Sequence, residues 1–437
     1  MSGKTKSLDW TSSPNGPLHG DVRVPGDKSI SHRAIMFASL ADGTSRVTGF
    51  LEGEDTRATA RAFAQMGVRI ETPNASERVV HGVGIDGLVA PAGPIDCGNA
   101  GTGMRLMTGL LAAQKFDSTL IGDESLSKRP MRRVTEPLAK MGARIETEGG
   151  GLPPVRIRGG QPLHGIDYAL PVASAQVKSA LLLAGLYAQG ETKITEPHPT
   201  RDYTERMLSA FGWPIEFDVG HARLSGGHRL RATDIVVPAD FSSAAFFLVA
   251  ASIVPGSDLV LRDVGINPRR TGLLRALRLM GGTIDELNRR ESGGELVADL
   301  HVRYAPLRGI DVPERLVPDM IDEFPALFVA AAAATGTTRI TGAAELRVKE
   351  SDRIAVMAKG LQALGANIEE TPDGAVIRNA PLIGGKADSG GDHRCAMSFA
   401  IAGLIASDPV RILDCANVAT SFPGFVALAN GCGFVLA

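Results

Sequence analysis

The chain is 437 residues long, 44% hydrophobic and 22% charged, with 46 Lys and Arg against 48 Asp and Glu. That length exceeds one ordinary core and predicts two domains or an array, while a net charge of -2 and 5% aromatic content argue against nucleic-acid or membrane partners recruited by a basic field. Four scattered cysteines, Cys97, Cys395, Cys415 and Cys432, show no CxxC spacing and suggest neither a disulfide framework nor a metal site.

The opening MSGKTKSLDW lacks the apolar centre of a signal peptide, and no later apolar run approaches the roughly 18 residues of a membrane span. A cytoplasmic location is therefore expected. PGDKSISHRA, residues 25–34, sets Lys28 and Ser29 at the start of an apolar helix, with Arg33 a turn further on. Helix N-termini attract phosphates and carboxylates through unpaired N–H groups. Ser29 or Ser31 would also serve as a plain cap. Capping does not account for Lys28, whose charge opposes the helix dipole, so something negative is expected beside it.

TSRVTGF reads as a strand, and GNAGTGMR then offers glycine-rich backbone from Asn99 through Gly101. After the strand-like STLIGDE comes SKRPMRR, in which Arg129 and Arg133 would share a helix face. ASAQVKSALLLAGLYAQG opens another apolar helix at Ser174, Ala175 and Gln176, and ETKITEP leads on to Arg201. VVPADFSS, near Asp240, follows the third such unit. Beyond SDLVLRD, the segment MIDEFPALFVAAAAATG carries Asp322 ahead of an apolar helix. TTRITGA precedes LRVKESDR, residues 346–353, with five charges in eight positions, and GDHRCAM then brings His393 and Arg394 to a sixth helix start. If LRVKESDR opens the next helix, Lys349 and Arg353 lie side by side, an unfavourable pairing unless an anion sits between them. Charge runs usually face water, so both readings of this stretch stay open.

Six segments resemble one another: QMGVRIE, KMGARIE, AFGWPIE, LMGGTID, ALGANIE and, more weakly, GCGFVLA. Their glycines, Gly67, Gly142, Gly212, Gly281, Gly365 and Gly433, recur at steps of 68 to 84 residues. Such a period marks a repeated architecture in which each unit reads helix, strand, loop, helix, strand, the second helix ending at glycine. A basic residue recurs where the second helix opens, at Arg57, Arg129, Arg201, Arg270 and Arg353; the sixth unit has Thr420 there. Asp322 and Glu350 add carboxylates among the cations. These suit proton transfer, although an N-cap role for Asp322 and an ion pair for Glu350 explain them equally well.

Taken in order over nearly the whole chain, PGDKSISHRA, GNAGTGMRL, SKRPM, ASAQVKSA, MIDEFP, LRVKESDR and DHRCAMSFA resemble the 5-enolpyruvylshikimate-3-phosphate synthases, in their divergent bacterial branch. The resemblance implies an α/β fold of two domains, each of three βαβαββ units about a pseudo-threefold axis. One domain would span residues 21–240, and the other would combine residues 1–20 with 241–437, substrate binding in the cleft between them. Members of this family transfer the enolpyruvyl group of phosphoenolpyruvate to the 5-hydroxyl of shikimate 3-phosphate, releasing phosphate on the route to chorismate and aromatic amino acids. They use no metal or organic cofactor.

By motif match, Ser29, Arg33, Ser174, Ala175, Gln176 and Arg201 would hold shikimate 3-phosphate, and Lys349 would contact the same ligand. Lys28, Gly101, Arg129, Arg353 and Arg394 would hold phosphoenolpyruvate, with Asn99 shaping its pocket. Asp322 would accept the proton of the 5-hydroxyl, and Glu350 would protonate the methylene carbon, assisted by Lys28. The resemblance also implies a monomer that glyphosate inhibits, since Gly101 marks sensitive members. Two positions depart from the family pattern: Ala419 and Thr420 stand where many members have a lysine, and Glu345 where many have an asparagine. The sister transferase acting on UDP-N-acetylglucosamine is disfavoured, because the loop GDESLSKRP lacks its cysteine and Lys28 is followed by Ser29 rather than asparagine. A non-catalytic binder of phosphorylated metabolites would gain nothing from Asp322 and Glu350.

Overall fold

The computed structural model describes residues 8–437, and within them lie twelve α-helices and twenty-four strands. In chain order the helices are α1 (Lys28–Leu40), α2 (Glu54–Gln65), α3 (Gly101–Leu111), α4 (Arg132–Lys140), α5 (Ala175–Gly185) and α6 (Tyr203–Ala210). The second half holds α7 (Phe241–Ile253), α8 (Gly272–Leu279), α9 (Phe324–Ala333), α10 (Arg353–Ala363), α11 (His393–Gly403) and α12 (Phe425–Gly431). The strands form six sheets, one for each sequence repeat.

The sheet of Thr337–Ile340 has three strands, its parallel neighbour reduced to isolated bridges at Arg308 and Asp311, and the other five follow one plan. In the second, Ser118–Ile121 pairs in parallel with Ile95–Asp96 on one side and antiparallel with Leu152–Arg158 on the other, and Arg144–Glu148 closes the edge. The third repeats this order with Asp167–Ala169, Glu191–Thr195, His221–Ser225 and Ile215–Asp218. Two sheets are completed by the N-terminal segment. His19–Val22 is the parallel partner of Asp258–Gly265, and Trp10–Ser13 lies antiparallel to Val410–Leu413, standing where other units use their own hairpin strand.

The chain divides into two compact units. One comprises Gly26–Val237 with Ser292–Glu295; the other takes Pro238–Glu291, Leu296–Ala437 and the described N-terminal residues up to Pro25. Each has three sheets and its own apolar core. The first, third and fifth helices of a unit are inner ones, apolar nearly all round: every residue of α7 is buried, as are nine of the ten of α9. Helices α2, α4 and α8 bury only one face, as helices covering a sheet do. Inner helices approach closely through glycine. A Cβ on Gly109 of α3 would fall 2.0 Å from the Ala180 carbonyl oxygen of α5.

The repeat glycines end the second helix of each unit, as their spacing predicts. All six have positive φ, between 79° and 108°, a conformation costly for residues with a Cβ. Two local expectations fail. Helix α4 starts at Arg132, so Arg129, which closes the 3-10 turn Leu126–Lys128, shares no helix face with Arg133. Helix α10 starts at Arg353, capped by the Asp352 side chain, so Lys349 lies in the preceding loop and not one turn up the same face. In both cases a nearer structure stops the helix short: Pro130 follows Arg129, and Asp352 accepts from the Ala355 N–H.

Candidate active site

In the unit built on α1–α6, the expected residues gather at the N-terminal ends of the three inner helices. Asp27, not Ser29 or Ser31, caps α1 by accepting from the Ile30 N–H. The negative partner expected for Lys28 is Asp55 of α2, 2.5 Å from its Nζ. Arg33 is 3% exposed and donates to the Ser29 carbonyl, to Thr204 Oγ1 at 2.7 Å and to Ser179 Oγ at 2.8 Å. Those bonds join α1 to α5 and α6 without neutralising the guanidinium. Burial and the nearby Arg201 bring its pKa down to about 10, against the pull of Glu205, Asp27 and Tyr203.

The starts of α3 and α5 are tied together through Gln176, which donates to Thr102 Oγ1 at 2.8 Å and accepts from Arg105 at 3.0 Å. Ser174 caps α5 through the Val177 N–H, and Ala175 is its first helical residue. Arg129 donates to Asn99 Oδ1 at 2.8 Å and to Ser125 Oγ at 3.0 Å; Asn99 in turn donates to Asp123. No side chain caps α3, whose first residue is Gly101. Helix dipoles and side-chain charge thus concentrate positive potential at one end of this unit.

The other unit gathers its residues similarly but mixes acids with bases. Arg353 is 1% exposed and donates to Asp392 Oδ2 at 2.8 Å and Glu350 Oε2 at 2.5 Å, while its Nη1, with no hydrogen bond, stands 3.6 Å from Asp322 Oδ1. Burial alone would lower its pKa; Asp392, Glu350 and Asp322 instead hold it above the usual value. Arg394 donates to the Asp322 carbonyl at 3.1 Å. Lys349 lies 3.7 Å from Glu345, and desolvation holds it below the ordinary lysine range despite the attraction of Asp322 and Glu345. Asp322 is not the α9 cap. That position belongs to Glu323, and Asp322 faces Arg270 at 3.1 Å.

The recurring basic position divides in its use. Arg57 stays half-exposed beside Glu52, Arg270 turns inward, and Thr420 bonds the Asn417 carbonyl. Sequence reading passed over Asp55, Asp123 and Asp392. The unpaired Lys28 gave the only signal for Asp55, and DHRCAM contained Asp392 without showing that Arg353 would reach it.

A family model described as EPSP synthase (3-phosphoshikimate 1-carboxyvinyltransferase) matches residues 13–428. The chain belongs to the EPSP synthase family. A 3-phosphoshikimate 1-carboxyvinyltransferase of Xanthomonas oryzae pv. oryzae is 70% identical over 427 residues, covering 98% of this chain and 97% of that one. The enzyme of the same description from Xanthomonas campestris pv. campestris is also 70% identical, with 98% of both chains covered. Among solved structures, the EPSP synthase of Acinetobacter baumannii superposes with a TM-score of 0.88 at 54% identity, over 98% of this chain and 100% of that one. Its fold, the enolpyruvyl transferase fold, is the one described above for this family member.

Proposed function

We propose that this protein transfers the enolpyruvyl group of phosphoenolpyruvate to the 5-hydroxyl of shikimate 3-phosphate with release of phosphate. The observation that carries the proposal is the arrangement of buried cations at helix starts, with Asp322 and Glu350 set among them. Two substrates that each bear a phosphate and a carboxylate supply the negative charge that such cations favour. Arg33, Arg201, Ser29 and the α5 start at Ser174, Ala175 and Gln176 hold shikimate 3-phosphate, with Lys349 as a further contact. Lys28, Arg129, Arg353 and Arg394 hold phosphoenolpyruvate, with Asn99 and Gly101 shaping its place.

The chemistry needs a base for the 5-hydroxyl and an acid for the methylene carbon. Asp322, whose carboxylate faces Arg270 at 3.1 Å and Arg353 at 3.6 Å, accepts the first proton. Glu350, carrying a proton once its bond to Arg353 loosens as the substrate anion arrives, delivers it to the methylene carbon with Lys28 assisting, which gives a tetrahedral adduct. Loss of a proton from the new methyl group as the C–O bond to phosphate breaks then restores the enol ether and releases phosphate. The sister reaction on UDP-N-acetylglucosamine finds no support in the thiols. All four cysteines are buried, and burial raises each pKa, to about 12 for Cys415 and about 11 for Cys432. A reactive cysteine needs the opposite shift. The protein acts as a monomer in the cytoplasm and is inhibited by glyphosate. No helix among the described residues is long and apolar enough to cross a membrane.

Asp322→Asn tests the division of roles. Shikimate 3-phosphate should still bind within about tenfold of the parent, roughly 1.4 kcal/mol, while turnover disappears. Binding by calorimetry and turnover by phosphate release measure the two. Loss of binding in proportion to loss of turnover would contradict the role given to Asp322.

A further inference from the structure

We propose that Arg270 is a positioning residue for Asp322, holding the carboxylate ionised and aimed at the hydroxyl it deprotonates. The proposal rests on the reading of Asp322 as the base. Arg270 sits in the turn before α8 and is 4% exposed. Its Nη1 donates to Asp322 Oδ2 at 3.1 Å, and its Nη2 donates to Ser242 Oγ at 2.5 Å and lies 3.4 Å from Asp240 Oδ1. One guanidinium therefore joins the start of α7 to the start of α9. A planar fork that cannot lose its proton does this better than a lysine ammonium would.

The groups facing Asp322 differ in what they do when substrates arrive. Oδ1 faces Arg353 at 3.6 Å, and Lys349 and Arg394 are the other nearby cations; in the proposed function all three turn to substrate anions. Glu350 and Asp392 already compete for Arg353. A base that lost all its cations on substrate binding would gain proton affinity before it could act. Arg270 has no substrate assigned to it, and its side chain is enclosed by Asp240, Ser242, Asp322 and Glu323. Its bond to Oδ2 therefore persists through the reaction cycle. The neighbouring Glu323 lies 3.5 Å from Nη1. Burial is the main cause that raises the pKa of Glu323, with Asp322 adding to it against the pull of Arg270 and Arg394.

The same residue is the fourth in the recurring row of Arg57, Arg129, Arg201, Arg270 and Arg353. Where Arg129, Arg201 and Arg353 serve substrates, the fourth copy has been turned onto the base. An opposite charge at this distance favours the ionised form of a carboxylate.

The test is the pH profile of kcat for the full-length parent, Arg270→Gln and Arg270→Lys, with Asp322→Asn as the control. The acid limb should move up by about one unit or more in Arg270→Gln, with the KM for shikimate 3-phosphate within about threefold of the parent. Arg270→Lys should restore at least half of that displacement. A kcat lowered equally at every pH, with the acid limb in place, would overturn the proposal. If Arg270→Gln does not fold, Arg270→Lys decides: an acid limb displaced upward by a few tenths of a unit supports the role, and an unmoved limb with unchanged kcat overturns it. Asp322→Asn turning over within tenfold of the parent would instead sink the reading of Asp322 as base, a different failure from an inactive Asp322→Asn with an unmoved Arg270→Gln profile.

Discussion

Gly101 has an ordinary negative φ, so backbone freedom is not why glycine stands there. A Cβ at this position would lie 3.1 Å from Nη1 of Arg129 and 3.1 Å from Nη1 of Arg105. Both neighbours are ends of flexible side chains, so alanine is compatible with the fold but displaces Arg129 by a few tenths of an ångström. Gly101→Ala should therefore leave thermal stability nearly unchanged, raise the KM for phosphoenolpyruvate severalfold and weaken glyphosate inhibition by a larger factor. Steady-state kinetics with and without glyphosate measure this, and unchanged inhibition would contradict the place given to Arg129 and Gly101. Individual residues were legible where a charge was out of keeping with its position. Lys28 at a helix start demanded an acid, and Asp55 answers it. The identity of that acid was not legible, because Asp55 lies 27 residues away on another helix and only packing of α1 on α2 joins them.

At the scale of elements, α1 and α2 meet at His32, which is fully buried with Nδ1 2.8 Å from Thr59 Oγ1 and Nε2 without a hydrogen-bond partner. Burial, with the charges of Lys28 and Arg33, brings its pKa down from 6.5 to about 3. Between those values the unfolded chain binds a proton that the folded chain does not. The contribution of His32 is therefore complete above pH 6.5 and is lost progressively as pH falls toward 3, by about 2 kcal/mol between pH 7 and pH 5. His32→Asn, which keeps a polar atom near Thr59, should unfold more easily at pH 7 yet lose about 2 kcal/mol less over that interval than the parent. Urea unfolding at the two pH values checks it; equal losses in parent and variant would mean that His32 is protonated in the folded state.

The second helix of each repeat was legible from its terminal glycine, because a positive φ leaves few other residues. The start of α10 was not. Five charges in eight residues fit a helix face, but Asp352 caps the helix from inside that run and leaves Lys349 in the loop. The hairpin strands Leu152–Arg158 and Gly374–Arg378 were also passed over as separate elements, since the repeated motif ends one strand earlier.

For the molecule as a whole, the period of the glycines predicted six units, and six sheets stand in two compact units of three. The role of the N-terminal segment in two sheets came only from family resemblance, because strand pairing between Trp10–Ser13 and Val410–Leu413 spans about 400 residues and leaves no local pattern. The same holds for the candidate site residues: their motifs lie scattered along the chain, and within each compact unit they stand at or near the starts of helices. Cations concentrated at those starts suit a reaction between two phosphorylated acids. The most direct measurement is phosphate release from phosphoenolpyruvate by the purified protein, with and without shikimate 3-phosphate and with no added metal. Release that depends on both substrates is the predicted result. Bound shikimate 3-phosphate without release, or release that requires UDP-N-acetylglucosamine instead, would contradict the account.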